Sequence, residues 1–367
     1  MSSDTGVRLM TDKADIGRTV RAPQPDLGAL AEGEVELALD LFSLTTNNIT
    51  YAAFGDSIGY WTVFPTGEDG MGHMPVWGFA DVKASRAEGV EPGARVFGYF
   101  PMADTLRVQA GKISRGGFAD LSPWRTEVPD IYNRYVLCAA DDNYAAELEP
   151  SEALFRPLFV TSYTAVEFLR DNSFFGAKQV VVSSASSKTA YGSAWSMLND
   201  GLTVLGLTGK RNRAFVERLG AYQAVLDYGQ IDELPTGVPT VYLDLSGDPE
   251  LRAKVHRRFG GDLVYDCLVG ATQTDGFTID PDLPGPKPKF FFTATVLDQH
   301  RERGTLRAFY ERFFADQKRF FERVVDPANP WIRIVERDGL EAAARVTRDL
   351  ADGRSDPAEG HVIRVRR

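Results

Sequence analysis

Cysteine is nearly absent: Cys138 and Cys267 are the only two in 367 residues, and neither sits in a C-x-x-C. A disulfide framework and a four-cysteine zinc site are thereby excluded. Long apolar runs are missing as well, none approaching the ~18 residues that a membrane span requires. Residues 1–28 are polar and lack the apolar stretch of a secretory signal. A soluble, reducing, cytoplasmic setting without a membrane partner is expected. Positive charge is in deficit, with 41 Lys and Arg against 51 Asp and Glu and a net charge of −10. With no basic tract to offset it, nucleic acid is not expected as a partner. Three catalytic signatures are also absent. None of the 13 tyrosines has a lysine four residues on, there is no G-x-S-x-G elbow, and Gly209-Lys210 lacks the other parts of a P-loop.

What is present is organised around residues 177–228. An apolar run, Val180 to Val182, stops at the small residues Ser183 to Ser187, and an Ala- and Ser-rich helical segment, Thr189 to Asn199, follows. A second run, Thr203 to Leu207, ends at Thr208-Gly209-Lys210-Arg211. A helical piece then reaches Leu219-Gly220-Ala221, and a third run, Ala224 to Leu226, ends at Asp227-Tyr228. Strand, helix, strand, helix, strand is the rhythm of a parallel α/β sheet, which binds ligands at the carboxyl ends of its strands. At the first such end, small residues let backbone N–H groups approach a pyrophosphate beside a helix N-terminus. Here Ser184, Ser186, Ser187, Lys188 and Thr189 stand where glycines usually do, so hydroxyls and an ammonium take the place of a G-x-G-x-x-G. At the second end an acidic residue would read the ribose of NAD. Lys210 and Arg211 stand there instead, and they suit the 2′-phosphate of NADP(H) or are solvated helix-start cations.

With 367 residues, two domains are expected. Residues 1–150 are cut into short pieces by Gly78, Gly89, Gly93, Gly111, Gly116 and Gly117, and read as a small β-barrel with strands such as Val35 to Leu44. Ser151 to Asp171 reads as a helix with Ser151 as N-cap and Pro157 as a disturbance. Further strands are expected at Thr240 to Leu245, Asp262 to Leu268 and His361 to Val365, and an apolar run spans Phe290 to Val296. Helices are expected at Asp248 to Phe259, Leu306 to Val325 and Gly339 to Ala351. The aromatic spacing of Phe309, Phe313, Phe320 and Phe321 reads as a core face. Asp275 to Pro288, with four prolines, is a candidate lid or interface loop.

The order of several short motifs resembles the medium-chain dehydrogenase/reductase superfamily, in its zinc-free quinone and enoyl reductase branch. They are Asn48-Ile49-Thr50-Tyr51, Pro75 to Val82 followed by Pro92-Gly93-Ala94-Arg95-Val96, Gly117-Phe118-Ala119-Asp120, and Leu219-Gly220-Ala221 to Asp227-Tyr228. The closing segment from Asp352-Gly353 to Val362 is similar too. Within that superfamily the chain resembles a divergent group often labelled only as a domain of unknown function. The resemblance implies a GroES-like catalytic barrel in residues 1–150, a Rossmann-type, doubly wound domain in 151–329, and a return to the barrel in 330–367. It also implies NADP(H), with Lys210 near the 2′-phosphate, Tyr228 at the phosphate region, and the strand end from Cys267 through Leu268 and Val269 to Ala271 beside the nicotinamide ribose. A homodimer is a further implication.

Zinc members of the superfamily hold their metal by cysteine and histidine. The first 150 residues offer only His73 and Cys138, outside any ligand pattern, so no metal is expected and His73 reads as an exposed loop residue. The expected activity is reduction of an activated C=C bond in an enone, enoyl thioester or quinone, the substrate being an apolar or conjugated carbonyl compound. Tyr51 is the first candidate for proton donor and Asn48 for orienting a carbonyl or ribose, with Tyr163 a second candidate donor. The other reading of Tyr51 is a packed tyrosine with a satisfied hydroxyl, and the resemblance implies a packing residue at Tyr163. The alternative is a member of the fold that has lost hydride transfer and serves as a ligand-binding or regulatory protein, or as a lyase-type enzyme.

Overall fold

The computed structural model describes residues 6–56, 59–269 and 282–365. They divide into two units, Met1–Leu154 with Arg333–Arg367, and Phe155–Ile332.

The first unit is β-rich. Strands β1 (Val7–Asp12) and β2 (Thr19–Pro23) open it, followed by the long β3 (Glu34–Leu44) and helix α1 (Thr46–Ala53). Next come β4 (Met71–Gly72), β5 (Pro75–Ser85), β6 (Arg95–Pro101), β7 (Thr105–Ser114), β8 (Gly117–Asp120), the single turn α2 (Asp130–Asn133) and β9 (Arg134–Leu137). The order β3-β5-β6-β9-β8-β7 closes on itself because β7 pairs back onto β3. A ring of six strands results, the GroES-like barrel. Closure removes most of the free edge of those strands. The first half of β3 pairs with β7, and its second half with Glu359–Arg364 from the chain's other end. Where β5 passes β3, a Cβ on Gly78 would lie 2.1 Å from the Leu41 carbonyl oxygen, so this position must be glycine for the two strands to meet. The core holds Val35, Leu37, Phe42, Val76 and Phe118, and Leu340, Ala343 and Val346 of the returning helix Gly339–Ala351 join it. β1, β2 and β4 form a separate antiparallel sheet that the polar N-terminal sequence did not announce.

The second unit begins within helix α3 (Glu149–Asp171), which starts two residues before the expected cap; Ser151 therefore lies inside it, and Pro150 occupies its first turn, where a missing N–H costs nothing. Then follow β10 (Gln179–Val182), α4 (Lys188–Ser196), β11 (Thr203–Thr208), α5 (Arg213–Leu219), β12 (Ala224–Asp227), β13 (Thr240–Asp244), α6 (Pro249–Phe259), β14 (Leu263–Leu268) and β15 (Lys289–Phe290). Helices α7 (Thr293–Glu302) and α8 (Leu306–Val324) complete it. The sheet is parallel throughout, in the order β12-β11-β10-β13-β14-β15. Third, second, first, fourth, fifth, sixth is the Rossmann arrangement, with its switch point between β10 and β13. The apolar run Phe290 to Val296 is divided: Lys289–Phe290 form β15, and from Thr293 the chain is helical, burying Val296, Leu297 and His300 at helical spacing. The α8 aromatic face is core, Phe313 and Phe320 lying against Phe159 of α3. Residues 275–281 of the candidate lid loop lie outside the described residues.

Candidate functional site

In the parallel-sheet unit, the carboxyl ends of β10 and β13 meet in a buried polar knot. Ser183 Oγ donates to Asp244 Oδ1 at 2.8 Å and accepts from the backbone N–H groups of Leu245 and Ser246. Asp244 Oδ1 also takes Ser246 Oγ and Gly247 N–H, while Oδ2 receives a fork from Arg252 Nε and Nη2 at 3.0 and 2.8 Å. Behind it His256 Nε2 lies 2.7 Å from Asp266 Oδ2, and His256 Nδ1 donates to the Pro284 carbonyl. Burial raises the Asp266 pKa, with the His256 contact acting in the opposite direction. The strand pattern gave no sign of this knot beyond an Asp at a strand end with Ser246-Gly247-Asp248 after it.

The turn that follows β10 solves the absence of glycine in three ways. Ser184 itself adopts the left-handed conformation, φ +49°, which costs a non-glycine residue about 1–2 kcal/mol. Its N–H donates to Tyr228 Oη at 3.3 Å, so the tyrosine at the end of β12 holds the strained residue. Ala185 N–H donates to the Leu207 carbonyl, and Tyr222 Oη donates to the Ala185 carbonyl. The glycine is displaced to the neighbouring strand: a Cβ on Gly206 of β11 would sit 3.0 Å from that of Ala185 and 3.1 Å from the Tyr222 ring. Small-against-small packing thus survives with the methyl and the hydrogen exchanged between partners. Ser187 caps α4, accepting from Ala190 N–H, and Gly192 lets α4 approach Ser162 of α3. Lys188 and Thr189 form the first turn of α4.

The end of β11 joins this turn. Tyr228 N–H donates to the Thr208 carbonyl, and Asn212 Nδ2 donates to Ser186 Oγ at 3.1 Å. Thr208 is buried, and its Oγ1 has no protein partner. Lys210 and Arg211 are exposed just beyond, and Lys210 makes no ion pair among the described residues. Leu268 and Val269 lie at the end of β14, where Val269 N–H donates to the Asp244 carbonyl. Gly270 and Ala271, which close the expected ribose-binding segment, lie outside the described residues. Every other nucleotide-site residue of the sequence reading therefore lies at the carboxyl end of β10, β11, β12 or β14. The sequence reading did not single out Tyr222, Ser183 and Asp244, which brace these strand ends.

In the barrel unit, Tyr51 and Asn48 share α1. Asn48 is fully enlisted in holding that helix: its Oδ1 accepts from Thr45 N–H at 2.7 Å, completing a capping box, and its Nδ2 donates to the Pro75 carbonyl at 2.9 Å. Tyr51 is buried, and Trp77 Nε1, which can only donate, lies 3.3 Å from its hydroxyl. The Tyr51 proton is therefore directed elsewhere. Around it stand Tyr60, Tyr99 and Tyr132, with ring centroids 4.6, 5.7 and 6.5 Å away. Burial pushes the Tyr51 phenol well above its ordinary range, so it stays protonated. His73 is not an exposed loop residue. It is buried beneath β1, its Nδ1 donating to the Leu9 carbonyl, and desolvation aided by the Arg8 charge lowers its pKa to about 4. Tyr163 packs inside α3 against Phe309 and Phe313, in the core of the other unit.

A family model described as "Protein of unknown function (DUF2855)" matches residues 42–356. The chain belongs to the DUF2855 family. No curated protein matches the sequence. Among solved structures, the DUF2855 chain is similar to CurA from Vibrio vulnificus in complex with NADPH, at 16% identity and a TM-score of 0.60, covering 98% of this chain and 99% of that one. A putative NADPH:quinone reductase from Bacillus thuringiensis matches at 12% and 0.58, with 98% and 99% covered. The CurF ER cyclopropanase of the curacin A biosynthetic pathway matches at 14% and 0.61, with 99% and 100% covered. These likenesses show that the DUF2855 chain has the fold of the medium-chain dehydrogenase/reductase superfamily, GroES-like barrel and Rossmann unit included. Among the described residues of this DUF2855 member, no cluster of His, Cys, Asp and Glu is arranged to hold a metal ion, and no helix is long and apolar enough to cross a membrane.

Proposed function

We propose that the protein is a zinc-independent, NADPH-dependent reductase of an activated C=C bond in an enone, enoyl thioester or quinone. The observation that carries this is the charge pattern at the switch-point strand ends. A Rossmann sheet presents a turn of small residues and a capped helix N-terminus at β10, and two exposed cations at β11, where a ribose-binding carboxylate would exclude a 2′-phosphate. The residues present fit NADP(H). The amides at the start of α4, with Ser184, Ser186, Ser187, Lys188 and Thr189, would hold the pyrophosphate. Lys210 and Arg211 would take the 2′-phosphate, beside Thr208, and Tyr228 would steady the turn. Leu268 and Val269 would border the nicotinamide ribose. NADPH-bound CurA supports the same reading by likeness of fold. When bound, NADPH supplies the hydride.

The chain's own contribution is to hold and deliver a proton. Tyr51 accepts from Trp77 and is kept neutral by burial, so its O–H is available to a substrate oxygen or α-carbon. Asn48 acts through α1, fixing the helix that carries Tyr51. A cleavage or binding role without hydride transfer is favoured by one observation, the strained Ser184 turn with no glycine to admit a pyrophosphate. Titration of the purified protein with NADPH and NADH decides. Micromolar NADPH affinity, at least tenfold weaker NADH, and a tenfold to hundredfold loss of NADPH affinity in Lys210→Ala are expected, the loss being that of a charge-assisted contact worth about 1.5–3 kcal/mol. Binding of neither nucleotide would overturn the reductase reading in favour of the other.

A further inference from the structure

Tyr99 on β6 is completely buried, and its hydroxyl meets no protein hydrogen-bond partner. An unpaired buried hydroxyl costs about 1–3 kcal/mol, which Phe at the same place would avoid. Trp77, Tyr132, Tyr51 and Phe64 surround Tyr99 with ring centroids 4.8, 5.0, 5.7 and 5.9 Å away, and every one of them is aromatic. Tyr60 and Tyr132, the two partly exposed members, join their hydroxyls at 3.2 Å on the outer side. Phe97 stacks on Trp77 and continues the aromatic wall. The nearest cation, Arg125, is unavailable to a ligand: it is buried against Asp120 at 3.2 Å and donates to the Tyr132 and Val63 carbonyls.

We propose that Tyr99 is a second hydrogen-bond donor beside Tyr51 for the carbonyl oxygen of a flat, uncharged, conjugated substrate, an assignment that rests on the reductase reading with Tyr51 as proton donor. Two phenolic O–H groups then meet the oxygen on which negative charge develops, an oxyanion site made of side chains rather than backbone. Both phenols stay protonated. Burial raises Tyr99 far above its ordinary value, and the nearby Tyr51, Tyr60 and Tyr132 hydroxyls add to the effect. Aromatic walls without a free cation select a planar ring system over a substrate carrying a phosphorylated arm.

The test uses 4-nitrophenolate, whose planar ring and anionic oxygen imitate an enolate and whose absorbance reports binding without turnover. Full-length wild-type protein, Tyr99→Phe and Tyr51→Phe are titrated with it, and their thermal melts are recorded. Expected are saturable binding by wild type, a tenfold to hundredfold loss in Tyr99→Phe and in Tyr51→Phe, and a melting temperature for Tyr99→Phe equal to or above that of wild type. A loss in Tyr51→Phe alone would overturn the Tyr99 assignment and leave the Tyr51 reading standing. A lower melting temperature in Tyr99→Phe would overturn it too, because the hydroxyl would then be a structural partner. No binding by wild type, or no loss in either variant, would overturn both.

Discussion

Two places in the molecule, one in each unit, treat their buried polar atoms in opposite ways. At the switch point of the parallel sheet, Asp244 receives four hydrogen bonds on one oxygen and a guanidinium fork on the other, and Ser183 serves three partners. In the barrel, Tyr99 buries a hydroxyl with no partner, and Tyr51 accepts from Trp77, which cannot take its proton. Saturation makes a rigid frame whose atoms have nothing left to offer a ligand, so that frame positions the turn without touching what binds there. Hydroxyls without a protein partner occur in both units, those of Tyr191 and Tyr242 among them, so it is the place of Tyr99 beside Tyr51 that singles it out.

The sharpest way to break this contrast is to unbalance the saturated knot. Arg252→Met keeps an apolar stem of similar length but leaves Asp244 and Asp266 buried without their cation. A loss of about 3–5 kcal/mol in urea denaturation is expected, far more than Tyr99→Phe could produce. A loss below ~1 kcal/mol would show that the knot is not the frame inferred.

A second test lies in the barrel unit. His73, held neutral by burial with its pKa lowered to about 4 from 6.5, binds its proton later than it would in the unfolded chain. Its contribution to stability is thus complete above pH 6.5 and is lost as pH falls from there towards 4. At ~1.4 kcal/mol per pH unit, the loss amounts to about 3 kcal/mol. In His73→Gln that component should vanish, so the wild-type and variant stability curves should differ in slope between pH 6.5 and 4 and run parallel above. Equal slopes would mean that His73 is protonated as readily folded as unfolded.

The smallest effect concerns the turn. Ser184→Gly removes the left-handed cost but gives the unfolded chain more freedom, so a net gain of at most about 1 kcal/mol is expected. NADPH affinity should change less than threefold, since the N–H bonded to Tyr228 is kept. A large gain in affinity would indicate instead that the serine side chain obstructs the cofactor.

Periodicity made the second unit legible almost strand by strand. Apolar runs of four to six residues ending at small or charged residues are what a sheet buried on both faces requires, and β10 to β14 fall where those runs lie. The charged pair at the end of β11 and Tyr228 at the end of β12 were equally visible. What sequence could not show was partnership. Nothing local announces that Gly206 stands in for a glycine missing twenty residues earlier, or that Asp244 and Arg252 meet. The first unit was less legible, because the short strands β1 and β2 of its smaller sheet are only half-buried and carry no clean alternation. Asn48 was assigned by its motif to substrate or ribose, but its position three residues after Thr45 is also the capping-box position, and the structure gives it that duty. His73 was misjudged because a histidine between glycine and methionine reads as a turn, whereas its neighbours in space are β1 and the Leu9 carbonyl.

One consequence concerns how the polypeptide leaves the ribosome. Phe155–Ile332 is a single uninterrupted segment, so every strand of the parallel sheet is present once that stretch has emerged. The barrel unit must wait: Leu340, Ala343, Val346 and Ile363 belong to its core, and Glu359–Arg364 is the strand that covers the second half of β3. During synthesis the six strands of the ring, all within residues 34–137, therefore carry exposed apolar surface and an uncovered half of β3 until residues 333–365 arrive, while the inserted unit is already able to close. Residues 333–365 act as a delayed fastening, and a nascent chain halted before them is the species most in need of a chaperone.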